Sequence, residues 1–238
     1  MCAPPVAHLD DLKLLLQGAV GGRPFAAAMA RGEARLGGAV ARALWRFNRL
    51  DIDVGRSHGS GDELGALGRR VETWMAGDLP EAEARLAQKC LAAVAGGHAS
   101  MAKWRYVPIH RDFYPDQLLV AGHRVCFLDL DDVAMSEPAV DVANFTAHMR
   151  LAALVRPEAA PATRRVAADF VAACAALDPG LDLALVRFLE GATLLRLAAI
   201  HGPRRGGRRL VIPLLRTAAT ALVPPLVPPL GLPDVALA

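Results

Sequence analysis

Three polar side chains near the middle of the chain are of the types that a phosphoryl-transfer reaction needs. Asp112 and Gln117 lie in the run HRDFYPDQ, and Asp129 follows twelve residues after Gln117. The reaction needs a carboxylate that orients the acceptor hydroxyl and takes its proton, and oxygen ligands that hold Mg²⁺ against the nucleotide phosphates. An H-x-D-x-x-x-x-N run followed by a strand-end aspartate provides this set. Asp112 is therefore the candidate base, and Gln117 and Asp129 are the candidate metal ligands.

A small β element is predicted to bring these groups together. Residues 118–120 and 125–128 are two short apolar runs joined through Gly122, a pattern typical of a hairpin. Residues 105–109 are strand-like and precede the polar run. The predicted hairpin folds Asp129 back towards the loop that carries Asp112.

The rest of the chain is predicted to be mainly helical. Helical spacing of apolar residues is found over residues 33–47, 63–74, 80–94, 140–154, 162–177, 181–200 and 209–222. A strand over residues 13–17 leads into a turn at Gly18, and residues 51–61 form a polar, glycine-rich loop. The expected fold class is α+β, mainly α, with a small central β-hairpin that carries the polar cluster.

The composition of the chain disfavours several other classes of protein. With 53% apolar residues the chain is globular, and its net charge of +3 gives no reason to expect a nucleic-acid partner. Its four cysteines form no C-x-x-C pair, which favours reduced, buried thiols in a cytoplasmic protein over a zinc site. The first ten residues do not resemble a signal peptide, and prolines interrupt the apolar stretch 217–235, so no membrane anchor is expected.

The central segments resemble the aminoglycoside phosphotransferase and choline kinase-like family. The resemblance rests on residues 110–119 (HRDFYPDQLL) and 127–143 (FLDLDDVAMSEPAVDVA). It implies a protein-kinase-like fold that transfers the γ-phosphoryl group of ATP or GTP to a small-molecule hydroxyl with Mg²⁺. It also implies that His110 braces the catalytic loop, that Asp141 is a structural residue beneath it, and that Asp131 is a possible additional acid.

The resemblance extends more weakly to both sides. Residues 13–25 are similar to the strand and hinge between the two lobes of such kinases, which would let Gln17, Gly18, Ala19 and Val20 offer backbone groups to the nucleobase. The helices after Val140 would wall the acceptor pocket. The implied division is residues 1–24 as a residual strand and hinge, 25–223 as the large C-terminal lobe, and 224–238 as an extended proline-rich tail.

Three departures from the family pattern stand out. Arg111 replaces the usual glycine, and Gln117 replaces asparagine, which moves the amide oxygen one methylene outward in a site where Mg²⁺ demands tight geometry. The N-terminal β lobe is largely absent, since nothing before Lys13 can encode its four strands and its phosphate-pairing lysine. A missing or separate small lobe is therefore expected.

Two alternatives remain beside the kinase hypothesis. A catalytically inactive pseudo-kinase fragment would act as a binding module, and it predicts an unusually large exposed apolar patch near residues 14–16 and the catalytic cleft. A metal-dependent phosphohydrolase is disfavoured because the chain lacks the adjacent His-Asp dipeptide of helical hydrolases. The arginine-rich run at residues 204–209 could bind an anion, although a solvated loop explains it better.

Overall fold

A computed structural model describes residues 3–33, 35–77, 79–97 and 104–222. Within these residues the chain forms short strands and eight α-helices. The strands are β1 (Pro5–Leu9), β2 (Leu14–Gln17), β3 (Arg23–Pro24), β4 (Val107–Ile109), β5 (Leu118–Ala121), β6 (Arg124–Phe127) and β7 (Ala134–Ser136). The helices are α1 (Phe25–Ala30), α2 (Leu36–Phe47), α3 (Ser60–Met75), α4 (Glu81–Gly97), α5 (Ala139–Val155), α6 (Ala160–Leu177), α7 (Leu183–His201) and α8 (Arg208–Leu222).

The strands form three small sheets. β1 pairs with β2, β4 pairs with β7, and β5 lies between β3 and β6. All these pairs are antiparallel, and Leu118 faces Phe127 at the open end of the β5–β6 hairpin. The β3–β5 pairing ties the segment that follows β2 to the central hairpin.

Two hydrophobic clusters hold the helices together. The first contains five buried phenylalanines, with Phe145 of α5 and Phe170 of α6 only 4.4 Å apart between ring centroids. The second joins α3, α4, α7 and α8 through residues such as Leu195 and Leu214. α5 and α7 are apolar on most sides, and both are largely buried because their sequences leave no broad polar face for water.

The structure confirms the mainly helical α+β prediction. The seven predicted helices correspond to α2 through α8, and their ends differ from the predicted ones by at most three residues. The strand predicted at residues 13–17 is β2, and the predicted central hairpin is β5–β6. The strands β1, β3 and β7 and the helix α1 were not predicted. β3, β7 and α1 are too short to show a clear period in the sequence.

The predicted burial of the cysteines is confirmed for the described residues. Cys90, Cys126 and Cys174 are buried, and Cys90 and Cys174 are free of disulfides. Cys90 lies in the second cluster, and Cys174 lies in the first. Cys2 and the proposed tail at residues 224–238 lie outside the described residues. No helix of the described part is both long enough and apolar enough to cross a membrane.

Candidate active site

The loop between β4 and β5 is anchored from below by Asp141. This residue lies in the first turn of α5 and is fully buried. Its carboxylate accepts hydrogen bonds from the backbone N–H groups of His110 at 2.7 Å and Arg111 at 2.8 Å. Burial raises the pKa of Asp141 to about 6, although His110 and these N–H groups favour the charged form. One side chain thus fixes the backbone of two successive loop residues.

His110 connects the loop to the segment that follows β6. Its Nε2 lies 2.8 Å from the carbonyl oxygen of Leu128, and because a carbonyl only accepts, Nε2 is the protonated ring nitrogen. The ring is buried and lies edge-on to Phe113 and Phe127. The backbone N–H of Leu128 also donates to the carbonyl of Gln117 at 2.9 Å. Both bonds hold the residue before Asp129 against the loop.

The three chemically important side chains predicted from the sequence lie together. The Nε2 of Gln117 lies 3.5 Å from Oδ2 of Asp112 and 3.3 Å from Oδ2 of Asp129. It also lies 3.3 Å from the hydroxyl oxygen of Tyr114. Asp112 is half-buried, whereas Asp129 is exposed. The Gln117 amide therefore lies between the carboxylates of Asp112 and Asp129 and is within hydrogen-bond distance of both.

Two residues of the site have an unfavourable backbone conformation. Asp129 has φ = 54° and Arg111 has φ = 68°, both in the left-handed region. This region costs a side chain-bearing residue roughly 1–2 kcal/mol. Such strain persists where surrounding contacts over-determine the backbone, and it is concentrated at functional sites. Here the Asp141 and Leu128 hydrogen bonds supply those contacts.

A second layer of polar contacts supports the loop and was not predicted. Asn144 donates from Nδ2 to the carbonyl of Phe113 at 3.2 Å, and Arg196 of α7 donates to Oδ1 of Asn144 at 2.6 Å. Asn144 lies one helical turn after Asp141, so the i, i+3 spacing could have indicated it. Nothing in the local sequence of α7 indicates Arg196.

One wall of the site is an aromatic stack. The rings of Tyr114 and His148 lie 4.5 Å apart between centroids and are inclined by 24°. Burial raises the pKa of Tyr114, with a further contribution from Asp112. Burial lowers the pKa of His148 to about 3, and Arg196 and His201 act in the same direction. Both rings are therefore neutral near pH 7.

The acidic segment after Asp129 is held by arginines. Arg56 donates to the backbone carbonyls of Asp131 and Val133 at 2.7 and 2.8 Å. The carboxylate of Asp132 lies 3.4 Å from Arg111. The side chain of Asp131, the candidate additional acid, is exposed.

The predicted nucleotide hinge follows β2 directly. Gln17 ends β2, and the backbone N–H of Gly18 donates to the carbonyl of Pro4 at 2.8 Å. That N–H is thus engaged within the chain, which leaves the Gly18 carbonyl and the backbone groups of Ala19 and Val20 as the candidate contacts. Ala19 is exposed and Val20 is half-buried.

The donor set fits Mg²⁺ in chemical type. Carboxylate and amide oxygens are hard ligands, and Asp129 and Gln117 provide one of each. Gln117 would present Oε1 after its amide group turns by half a rotation. Within the described residues, no group of three or more His, Cys, Asp or Glu could hold a metal ion. An ion here would draw its other ligands from phosphate and water, as Mg²⁺ commonly does.

Solved structures share this fold over most of the chain. A choline/ethanolamine kinase family protein from Mesorhizobium loti aligns with a TM-score of 0.67 at 10% identity, over 94% of this chain and 74% of that one. Choline kinase LicA from Streptococcus pneumoniae aligns with a TM-score of 0.60 at 11% identity, over 93% and 74%. An aminoglycoside phosphotransferase from Streptomyces rimosus, in complex with ADP and streptomycin, aligns with a TM-score of 0.52 at 21% identity, over 76% and 70%.

These similarities place the chain in the kinase-like fold class, with a reduced β lobe. The model of the phosphotransferase enzyme family matches residues 4–179, and the chain belongs to that family. No curated protein sequence matches it.

Proposed function

We propose that this protein transfers the γ-phosphoryl group of a nucleoside triphosphate to the hydroxyl of a small molecule, with Mg²⁺. The observation that carries the proposal is the Gln117 amide lying between the carboxylates of Asp112 and Asp129. This cluster combines a half-buried carboxylate with two oxygen-bearing side chains on rigidly held backbone. Phosphoryl transfer depends on positioning and on charge neutralisation, which such a cluster can supply.

Each residue of the cluster has a distinct role. Asp112 orients the acceptor hydroxyl and takes its proton. Asp129 and Gln117 would hold Mg²⁺, which would supply neutralisation of the developing phosphate charge. His110 and Asp141 act as positioning residues, because they fix the loop backbone and do not face the reacting atoms.

The nucleotide would be ATP or GTP. Among the similar structures, choline kinase LicA is described in complex with AMP, and an aminoglycoside phosphotransferase is described as ADP-bound. In this chain, Gly18, Ala19 and Val20 would offer backbone groups to the base.

The acceptor class is a small hydroxyl compound. The similar structures include kinases named for choline, ethanolamine and glucosamine, and each of these compounds carries a hydroxyl group. The helices after Val140 would wall the acceptor pocket, and the neutral Tyr114–His148 stack would form the part of that wall beside Asp112.

Calorimetry of ATP and GTP binding with and without Mg²⁺ tests this proposal. The wild-type chain should bind one nucleotide in a Mg²⁺-dependent way, and Asp129→Ala should lose that dependence because it removes a metal ligand. Asp169→Ala, an exposed aspartate of α6, is the matched control and should bind as the wild type does. Equal Mg²⁺-dependent binding by Asp129→Ala and the wild type would contradict the assignment.

A second candidate is a binding module that needs a separate small lobe. It is favoured by the exposed apolar side chains of β2, since Leu14, Leu15 and Leu16 are 42%, 50% and 43% exposed. The exposed patch predicted from the sequence is thus confirmed at these residues. A wild-type chain that binds neither nucleotide with Mg²⁺ would favour this candidate over an autonomous enzyme.

A further inference from the structure

A large groove is lined by residues other than Asp112, Gln117 and Asp129. Its volume is about 900 Å³, within the range of roughly 300–1,000 Å³ that is typical of small-ligand sites. One face of α3 forms its floor, and the start of α4, the end of α7 and the start of α8 form its walls. None of the three proposed catalytic and metal-binding residues lines it.

Among the described lining residues, the groove has three arginines and one acidic side chain. Arg69 and Arg70 of α3 line it, and neither guanidinium forms an ion pair with another described residue. Arg208 of α8 also lines it and lies 3.6 Å from Glu83, the one acidic residue among the described lining residues. A guanidinium presents a planar fork of donors that suits phosphate and carboxylate groups.

Trp74 adds an apolar surface and an unused donor. It is 9% exposed, and its Nε1 lies beside Gly202, where an added Cβ would come within 3.1 Å of it. This N–H donates to no described residue, which leaves it available to a ligand in the groove. Leu79 and Val211 line the same groove, so an apolar body could lie between the arginines and the indole.

We propose that this groove binds a small organic anion, with Arg69 and Arg70 holding the phosphate or carboxylate group and Trp74 contacting the apolar body. The groove shares no lining residue with the phosphoryl-transfer cluster, and binding there does not depend on a nucleotide or Mg²⁺. The acidic cleft around Asp112 and Asp129 would repel such an anion, whereas the groove attracts it.

Calorimetry with phenyl phosphate in EDTA tests the site without engaging a metal-dependent one. The probe combines a phosphate group with an aromatic ring. The wild-type chain should bind it, and Arg69→Gln/Arg70→Gln should weaken binding roughly tenfold or more, because two charge-assisted contacts are lost. Arg164→Gln/Arg165→Gln, an exposed arginine pair of α6 outside the groove, is the matched control and should leave binding unchanged. All four arginines are exposed, so neither variant should impair folding.

One further variant and one control ligand complete the test of the groove. Asp129→Ala should bind phenyl phosphate like the wild type, whatever its nucleotide binding, so this proposal and the proposed function can fail separately. Benzyltrimethylammonium, a cation with a similar ring, should not bind to the groove. The proposal is overturned if the wild type does not bind phenyl phosphate, if both arginine pairs have the same effect, or if the cation binds as well as the anion.

Discussion

Two strands of similar sequence, each in a hairpin, have opposite surroundings in this molecule. β2 (Leu14–Gln17, LLLQ) belongs to the β1–β2 hairpin, and all four of its residues are exposed. β5 (Leu118–Ala121, LLVA) belongs to the β5–β6 hairpin, and its Leu118 and Val120 are buried. Both hairpins are antiparallel and apolar. Pairing is thus specified locally, whereas burial depends on whether helices cover the sheet.

The two hairpins also adjoin different parts of the candidate site. The buried hairpin contacts α1 and α2, and Gln117 precedes β5 while Asp129 follows β6. The exposed hairpin leads into the proposed nucleotide hinge at Gly18. The proposed catalytic residues thus adjoin a buried hairpin, while the residues of β2, next to the proposed hinge, are exposed.

The sharpest test of this contrast compares two leucines. Leu118→Ala should destabilise the protein by about 3 kcal/mol, because it removes a fully buried side chain and leaves a cavity. Leu15→Ala should change stability by less than about 0.5 kcal/mol, because half of that side chain is already in water. Urea unfolding of both variants measures the difference. A similar loss for both would mean that β1–β2 is covered in solution.

A pH experiment extends the comparison to histidines. Since burial lowers the pKa of His148 to about 3, the folded state keeps this ring neutral while the unfolded chain protonates it below pH 6.5. Stability should therefore fall as pH drops from 6.5, by about 2 kcal/mol between pH 7 and 5.

Urea unfolding of His148→Gln at pH 7 and 5 should show a correspondingly smaller loss. His8→Gln is the control, because His8 lies on the exposed hairpin with a side chain that is 62% exposed. The wild-type pH dependence should persist in it. A profile unchanged in His148→Gln would show that other groups cause the acid sensitivity.

The smallest expected effects concern the two hairpin turns. Gly122 has φ = 60° in the buried hairpin, and Lys13 has φ = 50° in the exposed one. Gly122→Lys should cost about 1 kcal/mol of global stability, because a side chain is strained in this region. Lys13→Gly relieves the same strain. It should slow amide hydrogen exchange in β1 and β2 without changing the global stability of the protein. A clear shift of the Lys13→Gly urea midpoint would show that the exposed hairpin unfolds together with the core.

The sequence predicted most of the helices and the central members of the site. The spacing of Leu36, Val40 and Leu44 is enough to define α2, because these residues face one side of a 3.6-residue period. The H-x-D run and the hairpin are enough to predict that Asp112, Gln117 and Asp129 lie near one another. The chemical roles of these three residues remain predictions.

The remaining contacts depend on tertiary packing. Arg196 reaches Asn144 only because α7 crosses beside α5, and no local pattern specifies that approach. The same holds for His148, whose stacking on Tyr114 requires the loop between β4 and β5 to lie over α5. The strand β7 was missed because its three residues gain stability from pairing with β4 rather than from their own sequence.

Each of the two hydrophobic clusters contains a buried thiol whose chemical modification can be measured. Burial raises the pKa of Cys90 to about 11 and that of Cys174 to about 12, so neither reacts as a thiolate near pH 7 while the fold is closed. Cys90 belongs to the cluster of α3, α4, α7 and α8, and Cys174 belongs to the phenylalanine cluster. The modification rates of the two thiols therefore report the opening of one cluster each. Because α7 contributes residues to both clusters, matching rates would mean that the helical body opens as a single cooperative unit.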